Sequence, residues 1–73
     1  MTLEEFKKQV LTGIEQMPYN WRKGQKVFNY IDKEYSVARL VQYEKGIDCF
    51  YDNGLIDKFI EESYNILKSS HVL

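Results

Sequence analysis

Few side chains in this sequence combine the type and the spacing that reaction chemistry needs. His71 is the only histidine and lies beyond the last apolar residue of a helical pattern. A general base must be held within hydrogen-bond reach of its target by rigid surroundings, and a chain end predicted to fray supplies none. Cys49 is the only cysteine. A thiol becomes a nucleophile beside a base or a cation; this one stands among Ile47, Phe50 and Tyr51 and reads as a small buried apolar residue. Asp48, Asp52 and Asp57, with Asn53-Gly54, suggest a calcium loop. Setting Gly54 at position 6 of such a loop puts Cys49 at position 1 and Ile60 at position 12, where carboxylates are required. The match fails at both anchors. No CxxC, HExxH, phosphate-cradling glycine loop or serine elbow occurs. The expectation is a protein that is not an enzyme and uses no cofactor or metal.

Two sets of residues suit binding instead. Tyr19, Trp21, Tyr30, Tyr43 and Tyr51 are more aromatics than a small core easily holds, and Tyr30 falls off the apolar stripe of its own helix. Tyr, Trp and Arg dominate interface energetics, so these five are candidates for contact with a protein, either a second copy or a larger partner. The alternative is that they roof the core edge with their hydroxyls in water. The second set is Arg22, Gln25, Lys26, Asn29 and Lys33, which share a wedge of about 100° on one helix. Such side chains reach phosphates and base edges, and a helix-turn-helix can be drawn here. Against it, Asp32 and Glu34 flank the wedge, Pro18 interrupts the preceding turn, and the pI is about 5.7 where a nucleic-acid-binding domain is basic. A solvated helix face explains the set as well.

The elements that must position these groups are helices. Leu3, Phe6, Val10, Leu11, Ile14 and Met17 form one helical stripe; Gly24, Val27, Phe28, Ile31 and Tyr35 form a second. Leu55, Ile56, Phe59, Ile60, Ser63, Ile66 and Leu67 form a third. Each set spans roughly 100–140° of arc, the width of a core-facing side. Thr2 with Glu5 makes a capping box, so the first helix starts at once, and Pro18 ends it near Met17. Asn20 is the expected N-cap of the second helix, Ser36 of a short third, and Asp52 or Asn53 of the last. Val37 to Tyr43 suits a strand by composition, but a lone strand has no partner, so helix is preferred. The prediction is an all-α single domain over 1–73: long helices near 3–17, 21–35 and 53–68, a short one near 37–43, and a frayed tail from about residue 68.

Composition sets the class. Seventy-three residues make one domain, which buries only about 60% of its unfolded surface; six Tyr, four Phe and one Trp enlarge that burial. One cysteine allows no internal disulfide, which fits a reducing compartment. The opening Met1-Thr2-Leu3-Glu4-Glu5 has neither a basic nor an apolar leader region, and no apolar run is long enough for a membrane span. A cytoplasmic location with no membrane partner is expected. Net charge is −1 but uneven: Arg22, Lys23 and Lys26 cluster without an acid, while Glu44 to Glu62 holds six acids against Lys45 and Lys58. Folding these segments together is expected to neutralise them.

Arg22-Lys23-Gly24-Gln25-Lys26-Val27-Phe28-Asn29, followed by Asp48-Cys49-Phe50-Tyr51-Asp52, resembles a pattern in short proteins of bacteria and their phages. The likeness spans Arg22 to Ile60. That family carries no assigned activity, so the resemblance implies a fold and a phage or mobile-element setting, where an accessory protein that binds a host factor is a natural role. The two segments also carry expectations of their own. A glycine on the apolar side of a helix costs about 1 kcal/mol in propensity, so Gly24 is expected to receive a close neighbour, Phe50 or Tyr51. Arg22 at a helix start gains nothing from the dipole and is expected to pair with Asp48 or Asp52.

Overall fold

The computed structural model describes all residues, 1–73. Helix α1, Leu3–Gly13, begins with the expected capping box: the Thr2 hydroxyl accepts from the Glu5 N–H at 3.2 Å, and Glu5 Oε1 accepts from the Thr2 N–H at 2.8 Å. The Thr2 N–H first, and the Thr2 hydroxyl second, hold the Glu5 carboxyl below its ordinary pKa. A single 3-10 turn, Ile14–Gln16, tightens the end of α1, and Met17 turns extended ahead of Pro18. That is the conformation a proline imposes on its predecessor.

Helix α2, Lys23–Tyr35, starts two residues later than the sequence suggests. Neither Asn20 nor any other nearby side chain supplies the capping oxygen. Arg22 is the N-cap, and arginine has no acceptor to offer. Gln25 gives half of a capping box, its Oε1 accepting from the Arg22 N–H at 3.4 Å. A second of the orphan donors, the Gly24 N–H, is satisfied by Asn53 Oδ1 at 2.8 Å, from 29 residues away. Asn53, expected to cap the last helix, caps α2 instead.

Ser36 ends α2 in the left-handed region (φ 58), its N–H donating to the Asp32 carbonyl, rather than starting the next helix. The short helix α3, Ala38–Glu44, follows without a side-chain cap, and Gly46 at φ 68 breaks away from it. Asp52 accepts from the Gly54 N–H at 2.8 Å and opens a 3-10 turn, Asn53–Leu55, that leads into α4, Ile56–Ser69. Beyond Ser69 the chain closes in a Schellman arrangement: Val72 N–H to the Leu67 carbonyl, His71 N–H to that of Lys68, with His71 at φ 60. The tail expected to lie loose is thus folded back, and Leu73 packs against the core edge.

All three stripes face one core. Phe6, Val10 and Ile14 of the first segment meet Val27, Phe28 and Ile31 of α2 and Ile56, Phe59, Ile60 and Leu67 of α4. Ala38, Val41, Ile47 and Cys49 complete it from α3 and the connection that follows. Ser63 lies within this core, its hydroxyl donating to the Phe59 carbonyl at 2.8 Å. Phe28 is the joint, with its ring centroid 5.5 Å from both Phe50, edge-on, and Phe59. The radius of gyration, 11.1 Å, matches the roughly 11 Å expected for a folded chain of this length. The architecture is a small all-α bundle of three main helices and one short helix, and no helix is long and apolar enough to cross a membrane.

The borrowed cap is testable. Replacing Asn53 by Ala leaves the Gly24 N–H unsatisfied and should lower the unfolding free energy by about 1 kcal/mol, while Asn53→Asp, which keeps an acceptor at a helix N-terminus, should stay within a few tenths of wild type. Urea denaturation followed by circular dichroism measures both.

Candidate functional site

Gly24 anchors the region where the sequence placed its most distinctive residues. Its backbone is engaged on three sides: the N–H by Asn53, the carbonyl by the Cys49 thiol at 3.3 Å, and the Cα by the Cys49 carbonyl. A Cβ built on Gly24 would fall 1.9 Å from Cys49 O and 3.0 Å from Cys49 C. The close neighbour expected here exists, but it is the backbone of Cys49, with the Asn53 amide, rather than the ring of Phe50 or Tyr51.

Cys49 is fully buried, and burial, with Asp48 second, pushes its thiol up to about 12. It stays protonated and donates inward. Asp48 is spent locally, with one oxygen accepting from the Phe50 N–H and the other from Gln42 Nε2, each at 2.9 Å. Asp52 is spent on Gly54. Neither carboxylate reaches Arg22, whose Nη2 donates instead to the Phe50 carbonyl at 3.2 Å. The guanidinium carbon lies 5.7 Å from the Phe50 ring centroid and 5.5 Å from that of Tyr51, within cation–π range. The expected ion pair is replaced by a carbonyl and two rings. The basic and acidic segments do meet, yet they do not neutralise each other. The one ion pair is Lys7–Asp57 at 2.9 Å, exposed, and worth about 0–1 kcal/mol.

The five candidate aromatics separate. Tyr30 is half-buried with its ring against Gly13, and its hydroxyl accepts from Gln9 Nε2 at 3.2 Å; the same amide reaches the Tyr35 hydroxyl at 2.6 Å. Tyr30 therefore serves the fold. Trp21 is half-buried in a depression with Leu11, Ile14, Glu15, Lys23 and Lys26, and Tyr19 is fully exposed on the loop before α2. Only Tyr43 and Tyr51 come together. With Phe28, Arg39, Gln42 and Phe50 they line a groove of about 320 Å³ between α2, α3 and the connection to α4. Tyr43 is 79% and Tyr51 76% exposed.

The polar set on α2 is divided in the same way. Arg22 is held by Phe50 and Gln25 by the Arg22 N–H. Lys26 sits beside Trp21. Asn29, half-buried, and Lys33, exposed, make no side-chain hydrogen bond or ion pair. Two of the five groups are already committed to structure. No cluster of three His, Cys, Asp or Glu is placed to hold a metal ion.

Sequence reading missed Arg39, Gln42 and Phe50 as groove residues. Arg39 and Gln42 gave a weak signal because α3 is only seven residues long, too short for a stripe to define its outward face, and Phe50 stands in a connection without helical periodicity.

Two outcomes are expected of this geometry. Gly24→Ala gains about 1 kcal/mol of helix propensity but drives a methyl into the Cys49 carbonyl. The overpacking term and the displaced hydrogen bonds outweigh that gain, so a net loss of about 2 kcal/mol is expected in urea unfolding. For Cys49, the unfolded thiol ionises near pH 8.5, while the native one keeps its proton to about 12. The unfolded state therefore binds fewer protons in this window, and stability falls as pH rises through it. Comparing the slopes of unfolding free energy from pH 8 to 11 for wild type and Cys49→Ala isolates the thiol, and the wild-type slope should be the steeper.

Comparison with protein-family models, with curated proteins and with solved structures found no match to this chain.

Proposed function

We propose that this protein is a non-enzymatic binding module that engages another protein through the groove carrying Tyr43 and Tyr51. The observation that supports this reading is the concentration of exposed aromatic surface there. Two tyrosines stand more than three-quarters exposed over the half-buried Phe50 and the buried Phe28, with Arg39 beside them. Aromatic residues and arginine around a shallow apolar floor are the composition of interface hot spots. A rigid backing adds to it: Phe50 is packed on Phe28, and its carbonyl and ring are held by Arg22. Phe50 is therefore ordered before docking and adds no cost of its own. A cytoplasmic location and an accessory role in a phage or mobile element are consistent with this reading.

Nucleic-acid binding through α2 is the second reading, kept for the cations of the N-terminal part of that helix. Commitment of Arg22 and Gln25 to intramolecular bonds weighs against it, as does the net charge of −1, since phosphate contacts supply most of the affinity in such complexes.

The test is affinity capture from a bacterial lysate with the intact chain and with the Tyr43→Ala/Tyr51→Ala variant, each with and without nuclease. Both tyrosines are exposed and the variant should remain folded. The protein-binding reading expects a discrete partner that survives nuclease and falls about tenfold or more with the double variant. Capture that vanishes with nuclease favours the second reading.

A further inference from the structure

Resting on the protein-binding reading, the groove chemistry narrows the partner. We infer that the segment it receives is acidic: a short stretch of polypeptide presenting a carboxylate beside an aromatic or branched aliphatic side chain.

The lining contains one ionised side chain, Arg39. It is exposed, makes no ion pair and no hydrogen bond within the molecule, and so keeps its whole donor fork for a ligand. That fork matches a carboxylate in two parallel bonds. No carboxylate lines the groove, and neither Asp48 nor Asp52, which accept from Gln42, the Phe50 N–H and the Gly54 N–H, forms an ion pair with Arg39. Arg22, outside the lining, holds the Phe50 carbonyl and both the Phe50 and Tyr51 rings in place from behind that surface. An anionic group therefore meets one unpaired guanidinium and no carboxylate on the lining.

Beside this charge the surface is apolar, with Phe28 and Phe50 as floor and Tyr43 and Tyr51 as walls. An anchoring ring or branched chain fits such a floor. Gln42 spends its amide N–H₂ on Asp48 and leaves its carbonyl oxygen as acceptor for a backbone N–H. The groove thus offers one donor fork, one acceptor and a hydrophobic seat, which is the complement of an acidic residue next to an anchor. Single-stranded nucleic acid also stacks on tyrosines, but its affinity needs a train of cations along the backbone, and this groove's lining supplies one.

A phage-displayed library of random 12-residue peptides, selected against the purified full chain and against Arg39→Ala and Arg39→Glu, tests the inference. Arg39 has no intramolecular partner, so the variants should keep the wild-type circular dichroism and melting curve. Wild type should enrich peptides with Asp or Glu next to an aromatic or branched residue. The best synthetic peptide should weaken about tenfold with Arg39→Ala, and Arg39→Glu should select peptides with Lys or Arg in place of the acid. Enrichment of peptides with no acidic residue overturns the inference and leaves the protein-binding reading intact. The same acidic peptides selected by wild type and Arg39→Glu also overturn it. No enrichment at all overturns it, and then capture from lysate decides separately whether the protein-binding reading stands. A fluorescent oligothymidine that binds more tightly than the best peptide, with a salt dependence greater than two phosphates' worth, overturns it in favour of nucleic acid.

Discussion

The contact between Gly24 and the Cys49–Asn53 segment is the constraint on which the rest of this structure depends. A helix leaves its first N–H groups unpaired, and α2 begins with an arginine that cannot accept a hydrogen bond. Its cap has to come from elsewhere, and Asn53 brings it. The backbone of Cys49 must then lie against the helix, which only a residue without a side chain allows. The thiol closes the contact by donating back to the Gly24 carbonyl. Three short-range interactions thus hold a connection that has no regular structure of its own, and they fix the register of everything after it, including the turn into α4.

That register places Phe50 and Tyr51. With Cys49 pinned inward, Phe50 lands edge-on against Phe28 and Tyr51 is left outside. Arg22, two residues before Gly24 in the chain, then faces the Phe50 carbonyl and both rings. A guanidinium is weakly hydrated and stacks well on aromatic faces, so this arrangement satisfies it without desolvating a carboxylate. The outcome is a stiff aromatic surface on one side of the α3 groove. Tyrosines elsewhere do the opposite work: Tyr30 and Tyr35 share the Gln9 amide, and Tyr64 donates to the Met1 carbonyl, which ties α1 to α2 and to α4.

In a domain this small, buried apolar surface is limited, and the structure compensates by drawing partners from distant parts of the chain into single polar contacts. No buried side-chain polar atom lacks a hydrogen bond. Such satisfaction matters more here than surface ion pairs, since an unpaired buried donor costs about 1–3 kcal/mol and an exposed ion pair contributes about 0–1 kcal/mol. It also explains why charge segregation along the chain left so little trace in the fold. The carboxylates of Asp48 and Asp52 each accept from an N–H two residues further on, and neither pairs with a cation.

The three apolar stripes were legible from sequence because helical periodicity is local: each residue's neighbours on a helix face lie three or four positions away. Leu3 to Met17, Gly24 to Tyr35 and Leu55 to Leu67 therefore pointed to helices and to their buried sides, and the Thr2–Glu5 box and the break at Pro18 came from chemistry within one turn. The unusual position of Gly24 was legible too, as a cost needing a reason. Its partner was not. Whether Asn53 caps the helix it precedes or one that lies 29 residues back, and whether Arg22 finds a carboxylate or a carbonyl and two rings, depends on which atoms the packed core brings within about 3 Å of each other. Sequence spacing does not encode that. The division of the tyrosines was decided in the same way: Tyr30 turned inward because Gly13 of another helix leaves room for its ring, and Tyr43 and Tyr51 became neighbours only because α3 and the Cys49 connection pack on the same side of α2. Local periodicity determined the helices; long-range packing, which selects among chemically equivalent partners by distance alone, decided the surface they present.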